Sequence, residues 1–385
     1  MDFDFTEEQT MYRNMAREFA QREIIPFARQ NDSNERFSLE TLKKMAPLGL
    51  IGGPIPQEYG GLGIDHIAYG LSCEEIGRGS PAVFTTALTV QVSLTGLTIL
   101  QWGTEEQKQK YLPRMCAGEV IGCFALTEPD HGSDPAGMET SAVQDGGSWV
   151  LNGTKMWISN GGIADVSIVF AQTDKSKAHR GIVAFLVDKG TPGFSSKDIH
   201  GKLGLRSSNT SELILQDVRV PAAQMLGQVG QGFNVAMSAL DSGRYSTAAC
   251  AVGIAQACID ACVDYAQKRQ QFGKPIGSFQ LIQDMIVDMV ADTEASRLLV
   301  LRAGHLKNKG VRNTQETAIA KFYASEAAVR AARNAIQVHG GYGFSEEYPV
   351  ERYLRDAIGL TLYEGTTQIQ KLVIGRGVLG LNAVT

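Results

Sequence analysis

The residue types able to do chemistry gather in five short segments: FALTEPDHGSDPAGM (124–138), NGTKMWISNGG (152–162), RQQFGKPIGSFQ (269–280), QVHGGYGFSEEYPVERYLRD (337–356) and LYEGTTQIQ (362–370). Glu364 lies behind an apolar pair and ahead of a glycine, a setting that can hold a carboxylate at a helix break among apolar neighbours. Burial raises a carboxylate's pKa and suits it to taking a proton. By itself the same residue reads more simply as a solvent-facing Glu before a Gly turn. The first two segments place hydroxyls, backbone amides and Trp157 on loops between strands, which suits a flat aromatic ligand with polar edges. Taken singly, either reads more simply as turn chemistry plus a buried Trp.

Other motifs fall away on inspection. Gly375-Arg-Gly377-Val-Leu-Gly380 fits GxGxxG by letter, but it follows a helical stretch and leaves no room for the acidic residue that a dinucleotide fold needs about 20 positions on. GxSxG is absent, so His339-Gly340-Gly341 is not half of a hydrolase oxyanion site. The six cysteines form no CxxC pair and the six histidines show no ligand spacing near them, which predicts no structural metal and a reducing compartment. A net charge of −5, from 36 basic and 41 acidic residues scattered along the chain, gives no basic face for nucleic acid. The acidic opening MDFDFTEEQT leads to the expectation of a cytoplasmic protein.

The elements that must position these segments change character along the chain. At 385 residues the chain has room for two or three units around a large core. Residues 1–119 read as an α-helical domain, with a Thr cap and early acids at 6–8 and further helices at about 38–48 and 64–101. Within it, 82–100 carries no charge over a membrane-spanning length, yet its Thr, Ser and Gln residues and the chain's mean hydropathy of −0.10 favour a helix buried in protein. Residues 120–229 hold short β-branched runs between Gly, Asp and Pro turns without intervening helices, the pattern of an antiparallel barrel or sandwich. Residues 230–385 return to Ala-rich amphipathic stretches at about 232–268, 278–308, 314–340 and 350–379, long enough for a four-helix bundle.

Taken together and in this order, the segments resemble the acyl-CoA dehydrogenase family over essentially the whole chain, nearest its short-chain and medium-chain branches. The resemblance implies the family's α, β, α fold and an FAD cofactor. It implies that Phe124, Leu126 and Thr127 meet the flavin edge, with Gly132 and Ser133 farther along the loop and Ser133 also touching the thioester ligand. Trp157, Ile158 and Ser159 match the family's W-I-T, whose hydroxyl reaches flavin N5; here Ser replaces Thr and keeps the donor. Arg269, Gln271 and Phe272, with Gln280 following, match the run that reaches the FAD of a neighbouring subunit. Gln337, Gly340 and Gly341 match the diphosphate contact, and Thr366 and Gln368 the adenine end.

For substrate, Asp241, Ser242, Gly243 and Arg244 match the family's D-x-x-R turn beside the thioester, with Tyr363 and Gly365 flanking the base. Some branches carry their base immediately before that Arg. This chain has Gly243 there and Glu at 364, so the resemblance makes Glu364 the base. It implies that Glu364 takes the α-proton while the β-hydrogen passes as hydride to flavin N5, giving a trans-2-enoyl-CoA. Electron-transferring flavoprotein is the implied acceptor and a homotetramer, a dimer of dimers, the implied assembly. An acyl-CoA oxidase, an enoyl-CoA reductase and a non-catalytic scaffold remain as alternatives on the same fold. Thr89, Gln91, Val92 and Thr95 either line the acyl pocket or satisfy neighbouring helices.

Overall fold

The computed structural model describes residues 4–383. Helix α1 (Glu7–Phe19) starts at a reciprocal capping box, in which the Gln9 N–H donates to Thr6 Oγ1 and the Thr6 N–H donates to Gln9 Oε1. A π-helical turn, Ala20–Ile24, leads into α2 (Ile25–Ser33), followed by α3 (Leu39–Met45) and α4 (His66–Gly79). Then α5 (Pro81–Phe84), a π-helical stretch Thr85–Gly96, and α6 (Leu97–Trp102) run on as one long helix, and α7 (Glu105–Cys116) closes the helical region behind a second capping box at Thr104.

Every residue of Thr85–Gly96 is buried. Most of its polar side chains find partners inside the protein, the buried Thr95 hydroxyl excepted. Tyr69 Oη donates to the Leu88 carbonyl at 2.9 Å, Thr89 and Ser246 share a bond at 2.9 Å, and Gln91 Nε2 donates to the Val120 carbonyl at 2.8 Å. Pro81–Trp102 and Gly232–Lys268 are each long and apolar enough to cross a membrane, but 89% and 78% of their most apolar windows lie buried inside the molecule. Both are core helices of the packed chain.

The middle region forms an eight-stranded mixed sheet from β1 (Gly122–Ala125), β2 (Ser141–Asp145), β3 (Ser148–Ser159), β4 (Val166–Gln172), β5 (Ile182–Asp188), β6 (Phe194–Asp198), β7 (Thr210–Pro221) and β8 (Met225–Leu226). The order is β6-β7-β3-β2-β4-β5-β8, mostly antiparallel, with β1 lying parallel on β4. Gln91 Oε1 accepts the Gly122 N–H at 2.8 Å, tying the start of β1 to the buried π-helical stretch.

The last region is built on α8 (Gly232–Lys268), a small hairpin β9 (Gln270–Gln271) and β10 (Lys274–Pro275), then α9 (Gln280–Asn308), α10 (Thr314–His339), α11 (Val350–Leu360) and α12 (Thr367–Leu379). Alanines on α8 and α10 are buried together, so the two helices approach closely. The expected single stretch at 350–379 is in fact two helices, interrupted at 361–366, the turn that carries Glu364. One core cluster unites the N-terminal helices with α8, α10 and α11; the other fills the sheet and reaches the first turns of α8.

Candidate active site

The turn between α11 and α12 is held in an unusual shape. Glu364 has φ +58° and Gly365 φ +85°, both left-handed. That region costs a non-Gly residue roughly 1–3 kcal/mol, so neighbouring groups must impose it. Three side chains from three helices do so. Arg244 Nε on α8 donates to the Glu364 carbonyl at 3.0 Å, Gln370 Nε2 on α12 donates to the carbonyls of Glu364 and Gly365 at 3.0 Å each, and Lys321 Nζ on α10 donates to the Gly365 carbonyl at 2.8 Å.

The Glu364 carboxylate is thus aimed through its backbone and not by bonds of its own. The residue is 8% exposed and Oε2 is buried without a hydrogen-bond partner. Burial pushes its pKa up to about 8, against the pull of Arg244 and Lys321. The space it fills exists because position 243 is glycine: a Cβ there would stand 2.4 Å from each carboxylate oxygen. A side chain at 243 and a carboxylate at 364 compete for one volume. Arg244 itself is 5% exposed and spends NH1 on Asp241 at 3.0 Å, while Asp241 accepts Thr314 Oγ1 at 2.7 Å.

Across from this turn, the loop after β1 and the end of β3 are locked together. Lys155 Nζ, fully buried, pairs with Glu128 at 2.7 Å and donates to the Leu126 carbonyl at 3.2 Å; Glu128 also accepts the Glu139 and Thr140 N–H groups. A buried charge needs this degree of satisfaction to be tolerated. The Met156 N–H donates to the Thr127 carbonyl at 2.9 Å, joining the two segments directly. Pairing of β3 with β7 breaks register between Lys155 and Ile158, and Trp157 takes φ +62° there. The bulge turns the Trp157 ring outward, leaving it 60% exposed although its size favours burial.

The residues singled out in the sequence sort into three cavities. Phe124, Leu126, Thr127, Trp157, Ile158, Ser159, Tyr363 and Glu364 share a void of about 110 Å³ with Thr85 and Thr89. Leu126, Thr127, Gly132, Ser133, Asp241, Arg244, Glu364 and Gly365 line a cleft of about 870 Å³. The two have Leu126, Thr127, Leu240 and Glu364 in common and meet there. A third cavity of about 780 Å³ is lined by Arg269, Gln271, Phe272, Gln337, Gly340 and Gly341 and shares no lining residue with the other two. Gly243 lies beneath Glu364, whereas Ser242, Gln280, Thr366 and Gln368 line none of the three; Thr366 instead caps α12 by accepting the Ile369 N–H. Of the acyl-pocket candidates, Thr89 lines the small void, while Gln91 serves neighbouring backbone.

Sequence reasoning missed Lys321, Gln370, Lys155 and Glu128. Lys321 sits among Ala320, Ala324 and Ala328 on the buried face of α10, and that spacing was the signal for a buried charge. Arg312 and Arg376, which line the wide cleft, carried no pattern that set them apart from other surface arginines.

Comparison with known proteins agrees with this layout. Residues 6–119, 123–218 and 230–379 match the N-terminal, middle and C-terminal domain models of acyl-CoA dehydrogenase. An acyl-CoA dehydrogenase of Bacillus subtilis is 46% identical over 97% of this chain and 99% of its own. The structure of butyryl-CoA dehydrogenase from Megasphaera elsdenii superposes with a TM-score of 0.96 at 42% identity, over 98% of this chain and 100% of the other. A glutaryl-CoA dehydrogenase from Mycobacterium smegmatis, solved in complex with FADH2, gives a TM-score of 0.94 at 36% identity over 99% and 97% of the two chains.

Proposed function

The chain belongs to the acyl-CoA dehydrogenase family, an FAD-dependent group of oxidoreductases, and on that premise we propose that it dehydrogenates the Cα–Cβ bond of an acyl-CoA thioester with Glu364 as base. The observation that carries this reading is the unpartnered, buried Oε2 of Glu364, on a residue that lines one void together with the Trp157–Ser159 segment. The residues fit the cofactor: a bared indole, a half-buried Ser159 hydroxyl and the Leu126–Thr127 backbone border one space, with Glu364 opposite. Bound there, FAD supplies the hydride acceptor.

The chain's own groups do the rest. Glu364 takes the α-proton onto a carboxylate oxygen that no other group engages, and its raised pKa makes it a competent acceptor near neutrality. Leu126 and Leu240 keep the junction of void and cleft apolar, and the Tyr363 ring lines the void beside it, which excludes water from the reacting carbon. The wide cleft takes the CoA chain, with Arg312 and Arg376 as cations for its phosphates. The bared Phe272, at 93% exposure, and Leu281, at 78%, support a homotetramer in which Arg269, Gln337 and Gly340 hold a neighbour's FAD. Electron-transferring flavoprotein is the proposed acceptor. Six buried free cysteines support a reducing location, for which we propose the cytoplasm.

The test is anaerobic mixing of the yellow holoenzyme with a panel of straight, branched and cyclic acyl-CoAs. Bleaching of the visible band with formation of 2-enoyl-CoA is the expected result. Reoxidation by electron-transferring flavoprotein far faster than by air separates a dehydrogenase from an oxidase; no bleaching with any acyl-CoA would refute the proposal.

A further inference from the structure

The group that most needs explaining is Lys321. It has 0% exposure, on a helix face whose other buried residues are mostly Ala, Ser and Thr; burial and the Arg244 charge lower its pKa, while Glu364 and Glu326 pull it back up. An isolated buried ammonium is costly, and replacing it by an apolar side chain is often neutral or stabilising, so fold stability does not account for it. Its single hydrogen bond runs to the Gly365 carbonyl at 2.8 Å, one residue beyond Glu364. The charged groups around it are Glu364 on the turn, Arg244 on α8 and Glu326 farther along α10. Arg244 and Glu326 are already engaged, by Asp241 and by Thr367 Oγ1 at 2.5 Å. Glu364 has Oε2 unpartnered.

We propose that Lys321 is a positioning residue for the base: it fastens the Gly365 carbonyl so that the left-handed turn points the Glu364 carboxylate into the cavity, and its cation behind the turn favours the ionised carboxylate. The inference rests on the reading of Glu364 as base. Gln370 and Arg244 share the mechanical part, since each also donates to a carbonyl of the turn. The electrostatic part divides between two cations, and Lys321 is the one that makes no ion pair elsewhere among the described residues. Removing an opposite charge at close range raises a carboxylate's pKa, so the loss of Lys321 must move the pH at which the base ionises.

The experiment compares the wild-type holoenzyme with Lys321→Met and Lys321→Gln, reading FAD content, KM and the pH profile of kcat. Methionine removes charge and donor; glutamine removes the charge and keeps an amide donor. Both are expected to retain FAD with KM within a few-fold, and to shift the acid limb of kcat upward by about one pH unit or more. In Lys321→Met the plateau rate at high pH falls further than in Lys321→Gln, because the turn is also loosened. An acid limb that stays in place in both variants would overturn the proposal, as would failure of both to hold FAD, since a steering residue is not needed for the fold. Glu364→Gln is run alongside. Should it keep a wild-type acid limb, the assignment of the base itself fails, whatever Lys321 does.

Discussion

The turn at Glu364 and the cavity beside the β9–β10 hairpin are both built from residues that the family pattern singles out, yet they are finished to different degrees. At Glu364, three buried side chains from three helices fix two backbone carbonyls and leave one carboxylate oxygen unpartnered. At the hairpin, Phe272 takes φ +51° with 93% of its surface bare, and a Cβ on Gly340 or Gly341 would meet nothing within 4 Å. The first region is closed by groups of one chain; the second is an open surface. On the proposed reading, the chemistry is set by a single subunit and retention of the cofactor's far end depends on assembly.

Substitutions on the two sides should therefore break different things. The largest effect is expected from Glu364→Gln, which keeps the shape and removes the base: FAD and acyl-CoA still bind, and the rate of bleaching falls by about 10² to 10⁴-fold. Gly243→Ala follows, because its methyl would stand 2.4 Å from both Glu364 carboxylate oxygens and must push the side chain off line. A misplacement on the order of 1 Å costs about 10²-fold in rate, and since Ala suits a helix the FAD content should not change. On the hairpin side, Arg269→Ala should weaken FAD binding by about 10- to 100-fold through the loss of charge-assisted bonds, while the rate with saturating FAD stays close to wild type. A fluorescence titration of released flavin and the bleaching rate at saturating FAD would read both halves of that outcome.

A separate effect is on stability. With the Glu364 pKa raised from 4.5 to about 8, the folded chain holds a proton that the unfolded chain has lost, so stability falls as pH rises across that window. Glu364→Gln removes this slope. The variant should melt above the wild type beyond pH 8 and together with it near pH 4.5, a comparison that thermal unfolding of the two proteins at each pH would settle.

The same contrast governs what could be read in advance. Gly365 and the apolar pair before Glu364 signalled a helix break, and the break is there. The 350–379 stretch reads as one helical segment, and the left-handed Glu364–Gly365 turn divides it into α11 and α12. The loop motifs around Thr127 and Trp157 read singly as turn chemistry plus a buried Trp, and as ligand-facing only together with the other segments; Trp157 is in fact 60% exposed and lines one void with Thr127. The buried supports were harder to read: Lys321, Gln370 and Lys155 are residue types that ordinarily face water, and beyond the alanine spacing around Lys321 it is the packing of the folded chain that puts them inside. The π-helical stretch Thr85–Gly96 also escaped detection, because a change of helix type leaves apolar composition unaltered.

The central claim is that Glu364 removes the α-proton. Its most direct test is α-hydrogen exchange in D2O, using an acyl-CoA analogue with sulfur at the β position, which can be deprotonated but has no hydride to give. The wild-type holoenzyme should wash deuterium into the α position, and Glu364→Gln, with the analogue demonstrably bound, should exchange at least 10²-fold more slowly, the scale of losing a general base. Equal exchange in the two proteins would contradict the account.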